Sequence, residues 1–377
     1  MRYYFEGHNM VNSALEKKLA YIGDVFRLEG SLCLINVLTS GNVNSTYKID
    51  YRLADGTVKS YVTQRINPYV FRFPKEVMRN IDLVTSHIRN KLEAHQVALH
   101  FHHTADRKNY YIDEEDGALW RLYTFIPAVS YNTCDDLTVL HNAGEAFGRF
   151  QMQLSDFDAS LLFETIPDFH NTPKRLATLF CDVDADPCGR VCEVREEIER
   201  IRTYRDVASA LYGQYEKGEL PLRVTHNDTK INNVLFDAVS KRPLTVIDLD
   251  TVMPGLAMYD FGDAVRFAAS TAAEDEADLL VVGFDLNKYR AFAEGFITPI
   301  RNSLTKRELD SMALGAITIT AELASRFLDD YLLGDKYFKV NYEGHNLVRA
   351  RCQLCLLDDM MRKYDDMRAI VNNLTKE

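Results

Sequence analysis

Residues 223 to 250 constrain this chain more than any other stretch. They read Arg-Val-Thr-His-Asn-Asp-Thr-Lys-Ile-Asn-Asn-Val-Leu-Phe-Asp, then an exposed turn, then Leu-Thr-Val-Ile-Asp-Leu-Asp. The first half sets His226, Asp228 and Asn233 in the spacing H-x-D-x-x-x-x-N. The second half is a β-branched apolar run, the signature of a buried strand, and it ends in two alternate carboxylates, Asp248 and Asp250.

That spacing is the catalytic-loop pattern of kinase-type phosphotransferases, and a strand-borne acid about twenty residues later completes it. Phosphoryl transfer through a loose transition state needs alignment and charge neutralisation more than covalent chemistry. Asp228 is expected to accept the proton of the acceptor hydroxyl. Lys230 reaches the transferring group as a point charge. Asn233 offers an amide oxygen and Asp248 a carboxylate to Mg²⁺, which prefers hard oxygen ligands. His226 is expected to brace the loop by hydrogen bonding. Asp260-Phe261-Gly262 spells the protein-kinase metal motif but follows Ile247-Asp248-Leu249-Asp250, so Asp260 reads as a loop anchor and Asp248 keeps the metal role.

A chain of 377 residues is long for one core, so two lobes are expected, residues 1–126 and 127–377. A net charge of −11 disfavours nucleic acid as a partner, while a local cation cluster with Mg²⁺ still admits ATP. No apolar run approaches membrane-spanning length, and the N-terminus lacks a signal-peptide core, which points to the cytoplasm and to no membrane partner. The seven cysteines are irregularly placed and read as reduced thiols; Cys352 and Cys355 lack the partners a zinc site needs. The oligomeric state, monomer or dimer, is open at this level.

Along the chain, a helix over 11–28 precedes three strands at 32–38, 43–50 and 57–65, with Asp55-Gly56 as a hairpin turn. Gly41, in the first connection, is small enough for backbone amides to approach nucleotide phosphates. Gln64 stands where a kinase strand carries its phosphate-gripping lysine, beside Arg65, and Asp82 on the helix over 75–92 is a candidate partner for either. Strands at 110–112 and 118–126 complete a five-stranded antiparallel sheet, with Tyr123 and Phe125 at the hinge where adenine is held. From about residue 135 the pattern is helical, interrupted by a surface loop over 181–191. The fold class expected is α+β: a two-lobed, protein-kinase-like fold with a small antiparallel-sheet lobe and a mainly helical lobe.

Taken together, His226 to Asn233, Ile247 to Asp250 and Asp260-Phe261-Gly262-Asp263 resemble the aminoglycoside phosphotransferase and choline kinase superfamily. Phe157-Asp158-Ala159-Ser160, Arg223 to Lys230, Asp248-Leu249-Asp250-Thr251 with Met253-Pro254-Gly255, Arg326-Phe327-Leu328 with Asp330-Tyr331-Leu332, and His345-Asn346-Leu347-Val348-Arg349 are similar to the N-acetylhexosamine 1-kinases, from about residue 25 onward. The resemblance implies ATP-dependent phosphorylation of N-acetylglucosamine or N-acetylgalactosamine at the anomeric hydroxyl, with Phe267, Arg326 and Tyr337 in the sugar pocket and Asn233 and Asp248 on magnesium. Two departures stand out. The strand lysine of the superfamily is Gln64, and Asn42 stands where a histidine near the sugar is expected. Alternatives are a kinase of another small alcohol (choline, homoserine or an aminoglycoside) and a non-catalytic pseudokinase.

Overall fold

The computed structural model describes residues 13–38, 43–93 and 96–376. The chain opens with α1 (Ser13–Val25) and the strands β1 (Ser31–Leu38), β2 (Ser45–Arg52) and β3 (Val58–Arg65), followed by α2 (Pro74–Arg89) and the strands β4 (Tyr111–Ile112) and β5 (Leu119–Thr124). The five strands form one antiparallel sheet in the order β1-β2-β3-β5-β4. Gly56 turns the β2–β3 hairpin at φ 85°, a conformation that costs glycine nothing. Helices α3 (Leu137–Gln153), α4 (Thr172–Ala185) and α5 (Arg195–Glu216) lead to four short strands, β6 (Arg223–Thr225), β7 (Val234–Phe236), β8 (Pro243–Val246) and β9 (Met253–Gly255). Helices α6 (Ala257–Ala268), α7 (Leu286–Ile300), α8 (Lys306–Leu332), α9 (His345–Arg362) and α10 (Tyr364–Leu374) complete the helical lobe. The two-lobed α+β expectation therefore holds.

Strand alternation sorts the small lobe into two faces. On one, Leu19 and Ile22 of α1 pack with Ile49, Tyr61, Trp120 and Leu122 in a core of their own. Burying each of those aliphatic side chains stabilises the lobe by about 1.5–3 kcal/mol. The other face carries α2, whose Val77, Met78, Ile81 and Val84 belong to a core that continues into the large lobe. Asn80 ties the same helix down: its amide donates to the carbonyls of Phe163 (2.7 Å) and Val252 (3.0 Å) and accepts from the Phe163 N–H (2.9 Å).

Three expectations need correction. Helix α4 runs to Ala185, where Asp186 ends it in the left-handed conformation, so the loop expected over 181–191 begins only at 186. Strand β8 stops at Val246, and Asp248 sits two residues beyond it at φ 61°, ψ 57°, not at a strand end. Asp82 partners neither Gln64 nor Arg65. The α2 face toward the sheet is set by Val77, Met78 and Ile81, which leaves Asp82 half-exposed and facing His103 at 3.5 Å; Arg65 pairs instead with Asp116 at 3.0 Å.

Within the large lobe, α6 crosses α8 at a pair of glycines. A Cβ on Gly262 would lie 2.3 Å from the Gly315 backbone, so only glycine lets the helices approach this closely. Phe261 beside it is fully buried against Tyr289, Phe292 and Phe296. The two aspartates of the Asp-Phe-Gly-Asp run are thereby fixed beneath the loop that follows β6. No helix among the described residues is long and apolar enough to cross a membrane.

Candidate active site

The loop from His226 to Asn233 is held by buried hydrogen bonds from several directions. Asp260, in the first turn of α6, accepts the backbone N–H groups of His226 and Asn227, both at 2.8 Å, and the Gln151 amide at 2.7 Å. Asp263, one turn later, accepts the Thr229 N–H at 3.0 Å, and the Thr229 hydroxyl donates to the Asp260 carbonyl at 2.6 Å. Asp260 is thus a loop anchor, although it works from inside a helix and not ahead of a turn. Its burial pushes its pKa up, against the donors that favour the carboxylate.

His226 is wholly buried. Its Nδ1 accepts the Asp228 N–H at 3.3 Å, which makes Nε2 the donor to the Ile247 carbonyl at 2.9 Å. The ring therefore clips the loop to the strand end that leads to Asp248. Asn227 takes up φ 63°, a left-handed turn that asparagine tolerates, and donates to the Thr251 carbonyl at 2.9 Å.

Within this frame Asp228 and Lys230 lie side by side, Nζ to Oδ1 3.2 Å, and both reach the open cleft. Asp228 first, and Asp263 beyond it, hold the Lys230 ammonium well above the ordinary lysine range. Asn233 spends its amide nitrogen on Asp228, donating to the backbone carbonyl at 2.9 Å and to Oδ2 at 3.1 Å, which leaves the amide oxygen for another partner. The Asp248 carboxylate has no hydrogen-bond or ion-pair partner among the described residues. It faces the cleft with protein behind it, and desolvation, then Asp250 and Asp228, push its pKa up to about 7.

The small lobe supplies the opposite wall. Leu38, Val62, Leu99 and Ile126, facing Leu235 and Ile247 from the large lobe, give an apolar slot of the kind a planar heterocycle fills. Tyr123, Phe125 and Gln64 line the same cleft. Of the residues singled out in the sequence, Asp228, Lys230, Asn233, Asp248, Gln64, Tyr123 and Phe125 are thus brought together. Gly41 and Asn42 lie outside the described residues.

Phe267, Arg326 and Tyr337 do not line this cleft. Arg326 sits among aromatic rings, 5.6 Å from Phe169, 5.8 Å from Tyr337 and 5.4 Å from Phe338. Asp330 accepts the backbone N–H groups of Lys336, Tyr337 and Phe338 at 2.8–2.9 Å and so shapes the turn that carries two of those rings. Asn346 braces Asp330 at 2.8 Å.

Two residues of the cleft region were not foreseen. Asn44 donates to Asp250 at 2.7 Å and accepts the Asn67 N–H at 3.0 Å. Arg121 of β5 donates to Gln64 at 2.8 Å and forms a buried ion pair with Asp250. Their only sequence signal is the second carboxylate of Asp248-Leu-Asp250, which has to find a counter-charge once buried.

Among the described residues, no three or more His, Cys, Asp or Glu side chains cluster as a metal cage. The donor set that does exist, one carboxylate and one amide oxygen, suits an ion that also takes ligands from a phosphate chain, as Mg²⁺ commonly does.

The fold has known counterparts. A microcompartment-associated aminopropanol kinase superposes with a TM-score of 0.62 at 13% identity, covering 93% of this chain and 98% of its own. Amicoumacin kinase hAmiN, solved in complex with AMP-PNP, Ca²⁺ and Ami, gives 0.59 at 12% identity over 93% and 96%. Choline kinase from Cryptosporidium parvum Iowa II gives 0.56 at 12% identity over 96% and 100%. At such identities the likeness is one of fold. A family profile reaches further, since it matches residues 35–294, well over half of the chain and all of the cleft motifs: this protein belongs to the phosphotransferase enzyme family.

Proposed function

We propose that the protein transfers the γ-phosphoryl group of MgATP to the anomeric hydroxyl of N-acetylglucosamine or N-acetylgalactosamine, giving the sugar 1-phosphate. The observation that carries the kinase part is the convergence of Asp228, Asn233 and Asp248 on one cleft with an apolar slot beside them. Asp228 receives the hydroxyl proton, and Asn233 holds it in place through the amide nitrogen. Lys230 shields the charge that builds on the transferring group. Asn233 and Asp248 would hold the magnesium ion, which when bound neutralises the phosphate chain. Tyr123 and Phe125 border the adenine, and Gly41 is assigned to the phosphates from its sequence position alone.

The acceptor is argued from the resemblance of the Arg326-Phe327-Leu328 and His345 to Arg349 segments to hexosamine kinases. Phe267 and Tyr337 offer ring faces to a sugar, and Arg326 donates to hydroxyl or acetamido oxygens; Asn42 is assigned to the sugar from its sequence position alone. A cationic acceptor is disfavoured by a guanidinium in that place. We place residues 1–126 and 127–377 as the two lobes and the protein in the cytoplasm, where ATP is supplied.

The test is a product-resolved assay with MgATP and a panel of N-acetylglucosamine, N-acetylgalactosamine, glucose, galactose, choline, homoserine and an aminoglycoside. A sugar 1-phosphate formed from the two acetamido sugars in preference to the rest is expected. Phosphocholine or phosphohomoserine as the main product sinks the acceptor assignment, and ATP binding without turnover of any acceptor sinks the kinase.

A further inference from the structure

The strand position that should bring a cation to the phosphates carries Gln64, yet the wall is not without charge. In the β3–β5 ladder Gln64 stands directly opposite Arg121, and strand alternation turns both side chains to the cleft. Arg121 Nε donates to Gln64 Oε1 at 2.8 Å, and Gln64 Nε2 donates to the Thr46 hydroxyl at 3.1 Å. Each end of the amide thus has a protein partner, and its oxygen aligns the guanidinium; what Gln64 can still offer a phosphate is one uncharged N–H.

The counter-charge has moved as well. Helix α2 presents a thioether to the guanidinium, Met78 Sδ at 3.9 Å from Nη1, where a kinase helix would offer a carboxylate. Arg121 instead pairs with Asp250, two residues beyond Asp248 in the loop that would carry the metal ligand. Both partners are 2–3% exposed. Burial works against the charge on Arg121, and Asp250 outweighs it, so the guanidinium is held above its ordinary pKa. Of its donors, Nε and Nη1 are engaged; Nη2 has no acceptor among the described residues. Arg121 and Lys230 are the lysine or arginine side chains among the described residues lining the cleft, and Lys230 already belongs to Asp228.

We infer that Arg121 is the phosphate-facing cation of the small lobe, positioned by Gln64 and Asp250, and that this cross-lobe pair does the work of a strand lysine and a helix glutamate. The inference rests on the nucleotide reading given above and deepens it. Because a guanidinium presents five donors in one plane, it can serve Gln64 through Nε, Asp250 through Nη1 and an anion through Nη2. Because its counter-ion sits on the loop of Asp248, the phosphate grip is coupled to that loop, with α2 contributing no charge.

The test compares the wild type with two double variants by MgADP calorimetry, ATP and acceptor kinetics, and melting temperature. Arg121→Met with Asp250→Asn removes both charges, so no unpaired ion is left buried. It is expected to weaken MgADP binding and raise KM for ATP by about 10- to 100-fold, with KM for the acceptor unchanged. Gln64→Lys with Arg121→Met returns a cation from the neighbouring strand, keeps Asp250 paired, and is expected to recover most of the lost affinity.

A neutral variant that folds and binds MgADP like the wild type overturns the assignment and leaves the kinase reading intact. So does a folded lysine variant that recovers nothing. A wild type that fails to bind MgADP removes the nucleotide reading, and this assignment with it.

Discussion

On the large-lobe wall of the cleft, the loop from His226 to Asn233 is fixed by groups within forty residues of it in sequence: Asp260 and Asp263 below, Thr251 and Ile247 beside. On the small-lobe wall, the charged element is assembled from β3, β5 and a loop 129 residues away from Arg121. The first wall is over-determined, with acceptors for the N–H groups of His226, Asn227, Asp228 and Thr229 in succession, and it can therefore carry left-handed backbone at Asn227 and Asp248. The second depends on one guanidinium with two partners. Rigid placement of Asp228, the proposed base, and adjustable placement of the charge follow from that difference, since loss of one bond is absorbed on the first wall and propagates on the second.

The sharpest way to break the comparison is at the base. Asp228→Asn is expected to lower kcat by about 10²–10⁴-fold while MgADP affinity, measured by calorimetry, stays near wild type. Comparable turnover in that variant removes Asp228 from the reaction. Next is the anchor beneath it. Asp260→Ala leaves the N–H groups of His226 and Asn227 buried without their acceptor, and should cost about 2–5 kcal/mol in urea unfolding together with most of the activity. If stability falls and kcat does not, the loop is positioned by something other than α6.

On the other wall the expected change is smaller. Gln64→Met frees Arg121 Nε from its acceptor and should cost about 1 kcal/mol of nucleotide binding, seen as a several-fold rise in KM for ATP with kcat held. A fall in kcat alone would show that the two walls are not separable in this way.

The smallest effect serves as a control away from the cleft. At the α4–α8 seam, burial first and the facing Asp182 next push Asp329 up to about 7. The folded state then holds a proton that the unfolded chain, with an ordinary carboxyl, releases near pH 4. Stability is therefore lost as pH rises from about 4 to about 7. Asp329→Asn should match the wild type at pH 4 and melt higher at pH 7.5, with nucleotide affinity unaltered. Parallel melting curves across that range would contradict the pairing with Asp182.

Much of the large-lobe wall was legible in the residues. The H-x-D-x-x-x-x-N spacing and the following Ile-Asp-Leu-Asp are local, and local spacing survives into structure when a short loop and a short strand carry it. The five small-lobe strands were legible for the same reason, through β-branched runs and the Asp55-Gly56 turn. Asp82 was misassigned because helix periodicity says which residues share a face and not which residue on that face meets a given strand; the register put Met78 there. The loop expected over 181–191 starts late because Pro187 and Gly189, which mark it, lie beyond the end of helix α4 and leave the helix whole to Ala185.

What the sequence determined by itself is the chemistry that lies along neighbouring positions: a carboxylate, an amide and a second carboxylate at spacings that one loop and one strand convert directly into a cluster. What only the tertiary structure decided is where the small-lobe charge comes from. Gln64 and Arg121 are 57 residues apart, and Arg121 and Asp250 are 129 apart. They meet because antiparallel register pairs two strands and because α2, anchored to the large lobe through Asn80, packs the sheet against the loop of Asp248. Strand register and lobe packing depend on the whole core, and no spacing along the chain encodes them.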